Sequence, residues 1–355
     1  KWGWEEGEDR FLNVLPLNHC NGVIHSLVTG IWAGATCEFM NIFDPHKIWL
    51  RLADETKPPL TVFIGTASIY SELLKVSEDV AGAELEKAVK AIKANMKMMV
   101  SCSGPMPTKV VRSWKKLTGQ VILEHYSGTE FGTALANSYK ESIDRKVGYV
   151  GNPLPSVEVT IIDEKTGELV PWGSGGIGEL RVKGSNVFSK YWNKPDETSA
   201  AFDRDGFFKT GDIAQYVSKE KEIDSFRILG RSPFDIIQCN GHMFSALDVE
   251  RIILDHPDIE EAYIVGVDDQ SNGKAVGLVC RMRIVDVVEE EESSETDEAP
   301  RDRPISPDDL KDWCKLQMPV HMIPSQIVVS ECPIAKNMLQ KVNKRDLVSL
   351  FGKQK

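Results

Sequence analysis

The chain has 355 residues, 41% of them apolar, and a formal net charge of -11 at pH 7. That length supports about two domains with cores of their own, so neither disulfide staples nor structural metals are required. The acidic residues are spread along the sequence with one dense cluster and no basic stripe, which argues against nucleic acid as a partner.

The first residues, Lys1-Trp2-Gly3-Trp4-Glu5-Glu6, include no initiator Met, signal core or transit pattern, so the start reads as a cut. From Phe11 to about Ala136, short apolar runs (Leu15 to Leu17, Thr61 to Gly65, Met98 to Ser101, Val121 to Glu124) alternate with helical stretches such as Ala83 to Lys97. The alternation predicts an α/β layer with a largely parallel sheet, residues 1–145. The longest mostly apolar stretch, Gly22 to Cys37, carries His25, Ser26 and Thr29 and falls short of the roughly 18 residues of a membrane span. It reads as a buried or active-site helix.

Between Val147 and Asp212 the pattern changes. Val157-Glu158-Val159-Thr160-Ile161 alternates with period two and Asp163 to Gly167 supplies a turn, predicting a small antiparallel, barrel-like β subdomain over 146–230. After Gly230-Arg231 comes an α+β domain, 231–355. Ser245 and Asp248 open a helix with Val249, Ile252 and Ile253 on one face, stopped near Pro257, and Ser306 caps a second that begins Pro307-Asp308-Asp309. Strands are expected over Ala262 to Val267, Ala275 to Cys280 and Gln326 to Ser330. The acidic run Glu289 to Glu298 repels itself and predicts a disordered insertion over 286–303. The fold class is therefore α/β: a large domain with a β subdomain and a mobile C-terminal domain.

Seven cysteines, Cys20, Cys37, Cys102, Cys239, Cys280, Cys314 and Cys332, are odd in number and form no C-x-x-C pair. Zinc and dithiol chemistry are not indicated, and a reducing compartment, cytosol or mitochondrial matrix, is expected. The terminal Gly352-Lys353-Gln354-Lys355 is no peroxisomal S-K-L address.

Tyr126-Ser127-Gly128-Thr129-Glu130 follows the strand-like Val121 to Glu124 and brings a ring, a glycine, a hydroxyl and a carboxylate into one turn. Those groups suit a nucleotide: one carboxylate beside a phosphate-contacting hydroxyl suffices for Mg²⁺, which takes its other ligands from phosphate and water. Alone, the pentapeptide reads as an ordinary strand-to-loop turn with a solvated Glu. In Lys209-Thr210-Gly211-Asp212, Gly211 tightens a turn that presents Asp212, an acceptor-only group suited to vicinal hydroxyls. Arg231 offers a fork for ribose or phosphate oxygens, and Gly241 permits close backbone approach. One G-x-G-x-x-G, Gly173 to Gly178, leads into a strand where a dinucleotide site would open a helix, so it reads as a hairpin turn.

The ordered set Y-S-G-T-E, K-T-G-D, G-R and D-I-I-x-x-x-G-x-x-x-S-A-L-D-V-E resembles the adenylate-forming acyl-CoA synthetases, from about Phe11 to Leu347. The resemblance implies an ATP-dependent ligase with Mg²⁺ and coenzyme A, converting a small carboxylic acid to an acyl-adenylate and then a thioester. It implies that Ser103, Gly104 and Pro105 line the adenine, Tyr126 stacks on it, Thr129 touches the α-phosphate and Glu130 binds Mg²⁺. Asp212 and Arg231 would hold the ribose, Gly241 would help form a pantetheine tunnel, and Lys341 would be the late catalytic lysine. The small domain would swivel about Arg231 to Pro233 between the two steps.

The sequence departs from that pattern in places. The family's Gly/Ser/Thr-rich phosphate loop is absent from this chain, and in the family it lies upstream. Ser127, Leu339-Gln340 and Gln238 stand where Gly, Gly and Lys are usual. L-P-L-x-H, W-x-G-A-T-C and Y-W-N-K-P look most like the malonyl-CoA synthetases, which resemble one another in an Arg before the motif tyrosine. Here that position is His125, and a neutral imidazole pairs with a second carboxylate less well than a guanidinium. A truncated, non-catalytic AMP or acyl-adenylate binder is the alternative to an enzyme. A peptide-synthetase adenylation module ranks lowest, since no carrier domain follows Lys341.

Overall fold

The computed structural model describes residues 3–102, 104, 106–138, 146–217, 225–231, 234–239, 242–269, 273–283, 305–336 and 342–351. The described residues divide into two compact units, Lys1–Ile228 and Leu229–Lys355.

In the first unit, β1 (Arg10–Asn13) is followed by a π-helical turn, Asn21–Val28, then α1 (Thr29–Trp32), β2 (Thr36–Phe39), α2 (Pro45–Ala53), β3 (Val62–Thr66), α3 (Ala67–Val76), α4 (Gly82–Asn95), β4 (Met98–Cys102) and α5 (Thr108–Thr118). β5 (Leu123–Gly128), β6 (Gly132–Ala136) and β7 (Asn152–Pro153) complete a seven-stranded sheet in the order β2-β1-β3-β4-β5-β6-β7. The first five strands are parallel, and the β5–β6 and β6–β7 pairs are antiparallel.

β3 and β4 are mostly apolar and buried almost end to end because both sheet faces are covered, as parallel sheets require. Phe63 and Met99 point into a core with Trp49 and Ile48 of α2, Tyr70 and Leu73 of α3, Ile92 of α4 and Trp114 of α5. Val62, Ile64, Met98 and Val100, one residue out of phase, pack with Phe11, Leu15 and Leu123 on the other face. The polar tips of the buried aromatics are satisfied: Trp49 Nε1 donates to Leu73 O at 2.9 Å, Tyr70 Oη to Val100 O at 3.1 Å.

Three sequence expectations change here. Leu15 to Leu17 is not a strand: β1 ends at Asn13, whose Oδ1 accepts from Leu15 N at 3.0 Å, and Pro16 has no N–H to give a ladder. The Gly22 to Cys37 stretch is not one buried helix. Its helical part stops at Trp32, Cys37 lies in β2, and Ile31 and Trp32 are exposed. β5 extends to Gly128, so Tyr126 to Gly128 are strand residues and only Thr129 to Phe131 form the turn.

β8 (Val157–Ile162), β9 (Ile177–Gly184), α6 (Pro195–Ala201), β10 (Phe208–Val217) and β11 (Ser225–Arg231) follow, with the strands in the order β11-β10-β9-β8. β8 with β9 and β9 with β10 are antiparallel. Asp163 Oδ1 accepts from Lys165 N and Thr166 N, forming the turn read from the sequence. The G-x-G-x-x-G segment runs into β9, so it opens no helix.

The second unit holds the hairpin β12 (Ile236–Cys239) and β13 (His242–Ser245), α7 (Ala246–Ile253), β14 (Ile259–Asp269), β15 (Gly273–Met282), α8 (Pro307–Gln317), β16 (Gln326–Val329) and α9 (Lys344–Val348). β14 and β15 are antiparallel, β15 and β16 parallel. Val249 and Ile253 of α7 and Leu310 and Cys314 of α8 pack with Ile264 and Leu278 of the sheet. Both predicted caps form: Ser245 Oγ accepts from Asp248 N at 3.3 Å and Ser306 Oγ from Asp309 N at 3.1 Å. The acidic insertion expected over 286–303 lies outside the described residues. Among those described, no helix is long and apolar enough to cross a membrane.

Candidate nucleotide site

Two irregular hairpins build the site in the first unit. On β10, Lys209 faces Arg181 and Ile213 faces Glu179, so Thr210, Gly211 and Asp212 together oppose the single residue Leu180. Gly211 takes φ +70°, a conformation that glycine enters without strain. Thr210 pins the bulge, its Oγ1 donating to Leu180 O at 2.6 Å and accepting from Asp212 N at 3.0 Å. Bulges re-aim side chains in this way, and here the one re-aimed is Asp212.

On the β5–β6 hairpin the register shifts between Tyr126 and Ser127. The Tyr126 ring lies 5.2 Å from that of Phe131, and a Cβ at position 128 would come within 2.5 Å of the Phe131 ring, which accounts for Gly128. Tyr126 Oη donates to Asp212 Oδ2 at 2.5 Å, with the two residues 8% and 9% exposed. The aromatic and carboxylate positions singled out from separate motifs thus meet directly, a contact the sequence reading did not anticipate.

Thr129 is exposed at the hairpin tip and Glu130 is half-buried beside it. The segment after β9 supports this turn: Phe188 N donates to Glu130 O at 2.7 Å, Tyr191 Oη to Glu130 Oε1 at 3.1 Å, and Asn186 Nδ2 to Phe131 O at 2.6 Å. Among the described residues no cluster of three metal-ligating side chains occurs. A single carboxylate with a neighbouring hydroxyl fits Mg²⁺ carried on nucleotide phosphates, which needs only one or two protein carboxylates.

Behind the strand ends sits a second polar group. His25 Nδ1 and Asn21 Oδ1 are 2.8 Å apart, and the His25 ring meets that of His125 edge-on at 5.8 Å. Burial, assisted by His19, lowers the pKa of His25 to about 4. Burial, assisted by His25, lowers that of His125 to about 3, against a hydrogen bond to the Ser101 backbone. Both rings are therefore neutral at pH 7. Sequence reasoning noted His125 and placed His25 in a buried or active-site helix without giving it a role of its own; the Asn21/His25 spacing of four on a helix was a further signal.

Gly104 is exposed and has open space where a side chain would sit. Arg231, in the second unit, is exposed, and its backbone N–H donates to Asp235 Oδ2 at 3.0 Å. Ser103, Pro105, Gly241 and Lys341 lie outside the described residues. The cavity of about 610 Å³ between α4 and α5, lined by Leu85, Val89, Lys93 and Leu117 among others, holds none of the motif residues.

The AMP-binding enzyme profile matches residues 1–192 and the AMP-binding enzyme C-terminal domain matches 248–337. The chain is 34% identical over 367 residues to the mitochondrial malonate–CoA ligase ACSF3 of Bos taurus, covering 98% of this chain and 58% of that protein. It is 30% identical over 352 residues to a malonate–CoA ligase of Arabidopsis thaliana, covering 97% of this chain and 54% of the relative. The chain thus spans little more than half the length of these relatives. ATP-bound MatB from Rhodopseudomonas palustris superposes with a TM-score of 0.80 at 26% identity, over 99% of this chain and 62% of that one.

Proposed function

The chain belongs to the AMP-binding enzyme family, and we propose that it is the larger part of an ATP-dependent acyl-CoA ligase that forms an acyl-adenylate and transfers the acyl group to coenzyme A. The observation that carries this reading is the Tyr126–Asp212 hydrogen bond, which unites two motif positions into one buried polar group at the two irregular hairpins.

In this reading Asp212 presents its carboxylate to the ribose hydroxyls while Tyr126 holds it in place. Ser103, Gly104 and Pro105 line the adenine, and Arg231 joins the ribose contacts. Thr129, at the exposed tip, meets the α-phosphate. Glu130, oriented by Tyr191, would hold Mg²⁺, which supplies charge neutralisation at the phosphates.

A carboxylate approaching an anionic phosphate is repelled by about 4 kcal/mol at 4 Å and an effective dielectric of 20. Lys341 supplies the compensating ammonium, most strongly as charge builds in the transition state. Gly241 then admits the pantetheine thiol in the second step.

Names of the relatives favour malonate as the acid. The neutral, buried His125 weighs toward a short or medium monocarboxylic acid, since no positive charge at that position meets a second carboxylate. A reducing compartment, cytosol or mitochondrial matrix, suits the seven free cysteines.

The test is AMP release with MgATP, coenzyme A and a panel of short, medium and dicarboxylic acids. It uses both this chain and the longest polypeptide that carries it, with Lys341→Ala as control. Acid-dependent, Lys341-dependent AMP supports the ligase and names its substrate. AMP binding without turnover in either polypeptide overturns it in favour of a non-catalytic binder.

A further inference from the structure

Three residues beyond Lys341, the Lys344 ammonium lies 2.6 Å from Asp235 Oδ1 and 2.7 Å from Glu250 Oε1, with the three side chains 13%, 18% and 10% exposed. Each carboxylate has a second task. Asp235 Oδ2 accepts from Arg231 N at 3.0 Å, and Phe234 N and Asp235 N both donate to Arg231 O, so Asp235 closes the turn that follows Arg231. Glu250 Oε1 accepts from Ile264 N at 2.8 Å, fastening α7 to β14. Burial acts to lower the Lys344 pKa, but Glu250 and Asp235 outweigh it and hold the ammonium above the ordinary lysine value.

The same stretch is held from its other side. Val342 forms a β-bridge with Lys336, whose ammonium lies 2.7 Å from Glu261 Oε1, while Glu261 Oε2 accepts from Ile334 N at 3.1 Å. Arg345 stacks its guanidinium 4.8 Å from the Phe234 ring, adding a second tie to the Arg231–Asp235 turn.

A buried ion trio is a poor way to gain stability, because desolvating three charges cancels most of their attraction and apolar side chains would fill the same volume. What the trio adds is direction: one ammonium joins the turn after Arg231 to the chain leaving Lys341. We propose that Lys344 is a positioning residue that, through Asp235, makes the Lys341-bearing segment and the Arg231–Asp235 turn move as one body. The catalytic consequence rests on the ligase reading above, and the mechanical one does not.

The mechanical consequence is read by hydrogen exchange on the purified chain, comparing wild type, K344M and D235N. Both variants are expected to speed exchange in peptides covering 342–351 and 231–239 while β14 and β15 stay protected. Unchanged exchange in those two peptides, or equal loosening of β14 and β15, overturns the proposal.

The catalytic consequence is read on the longest active polypeptide. K344M and D235N are expected to slow acid-dependent adenylate formation by about a hundredfold, the order expected from a misplacement of 1 Å. The maximal rate at which supplied acyl-adenylate reacts with coenzyme A is expected to stay within about twofold of wild type. Equal adenylation in variant and wild type, or equal losses in both steps, overturns the proposal. A wild type inactive with every acid counts instead against the ligase reading, and the exchange comparison then decides for Lys344 alone.

Discussion

The phenol of Tyr126 and the carboxylate of Asp212 stand 2.5 Å apart although 86 positions separate them in the chain. Each sits at an irregularity in its hairpin, Tyr126 at a register shift and Asp212 in a bulge. Two local distortions, costly separately, are joined by one charge-assisted hydrogen bond.

Tyr126→Phe keeps the ring against Phe131 and removes only the donor. A hydrogen bond to a charged group contributes about 1.5–3 kcal/mol, so urea unfolding of the first unit is expected to show a loss of about 2 kcal/mol. AMP affinity, measured by calorimetry, is expected to fall with it, because Asp212 is no longer held. An unchanged affinity would detach this pair from nucleotide binding.

Gly128→Ala places a methyl 2.5 Å from the Phe131 ring, which is already packed against Tyr126. Overpacking of this kind costs about 1–3 kcal/mol. The variant is expected to lose stability in that range and to bind AMP more weakly. Wild-type melting and binding would show that Phe131 has room to move.

Acid should destabilise the first unit through its two buried histidines. Their folded pKa values, about 4 for His25 and about 3 for His125, lie below the ordinary imidazole value of 6.5. Above pH 6.5 both states are neutral and the full stability is present. Below it, the unfolded chain takes up protons that the folded chain refuses, so stability falls as pH drops toward 4, by at most about 1.4 kcal/mol per pH unit for each histidine. His125→Phe is expected to reduce that slope by close to half. An unchanged slope in urea titrations at pH 7, 6 and 5 would exclude His125 as a contributor.

Lys341→Ala is expected to leave AMP binding within about twofold while lowering adenylate formation by about 10²–10³, the usual cost of removing one transition-state charge partner. Isotope exchange between pyrophosphate and ATP reports that step directly. Parallel losses of binding and rate would make Lys341 a binding residue instead.

Much of the local structure was legible. Ser245 and Ser306 were readable as caps because a hydroxyl three residues before an amide satisfies it wherever a helix starts, with little help from the rest of the molecule. The parallel sheet was readable because short apolar runs alternate with helical stretches, the order that a strand-helix-strand crossover imposes. Leu15 to Leu17 failed as a strand because hydrophobicity measured burial there, not pairing. Leu15 is 7% exposed without belonging to any ladder.

The motif order by itself determined the family and the residue types available for chemistry, since side-chain chemistry is carried by the sequence directly. Which groups touch was decided only by the tertiary structure: Tyr126 with Asp212, His25 with His125, and Lys344 with Asp235 and Glu250. The physical reason is that burial and partner distance set the strength of a hydrogen bond, an ion pair or a pKa shift. Both are properties of strands and helices brought together from distant parts of the chain.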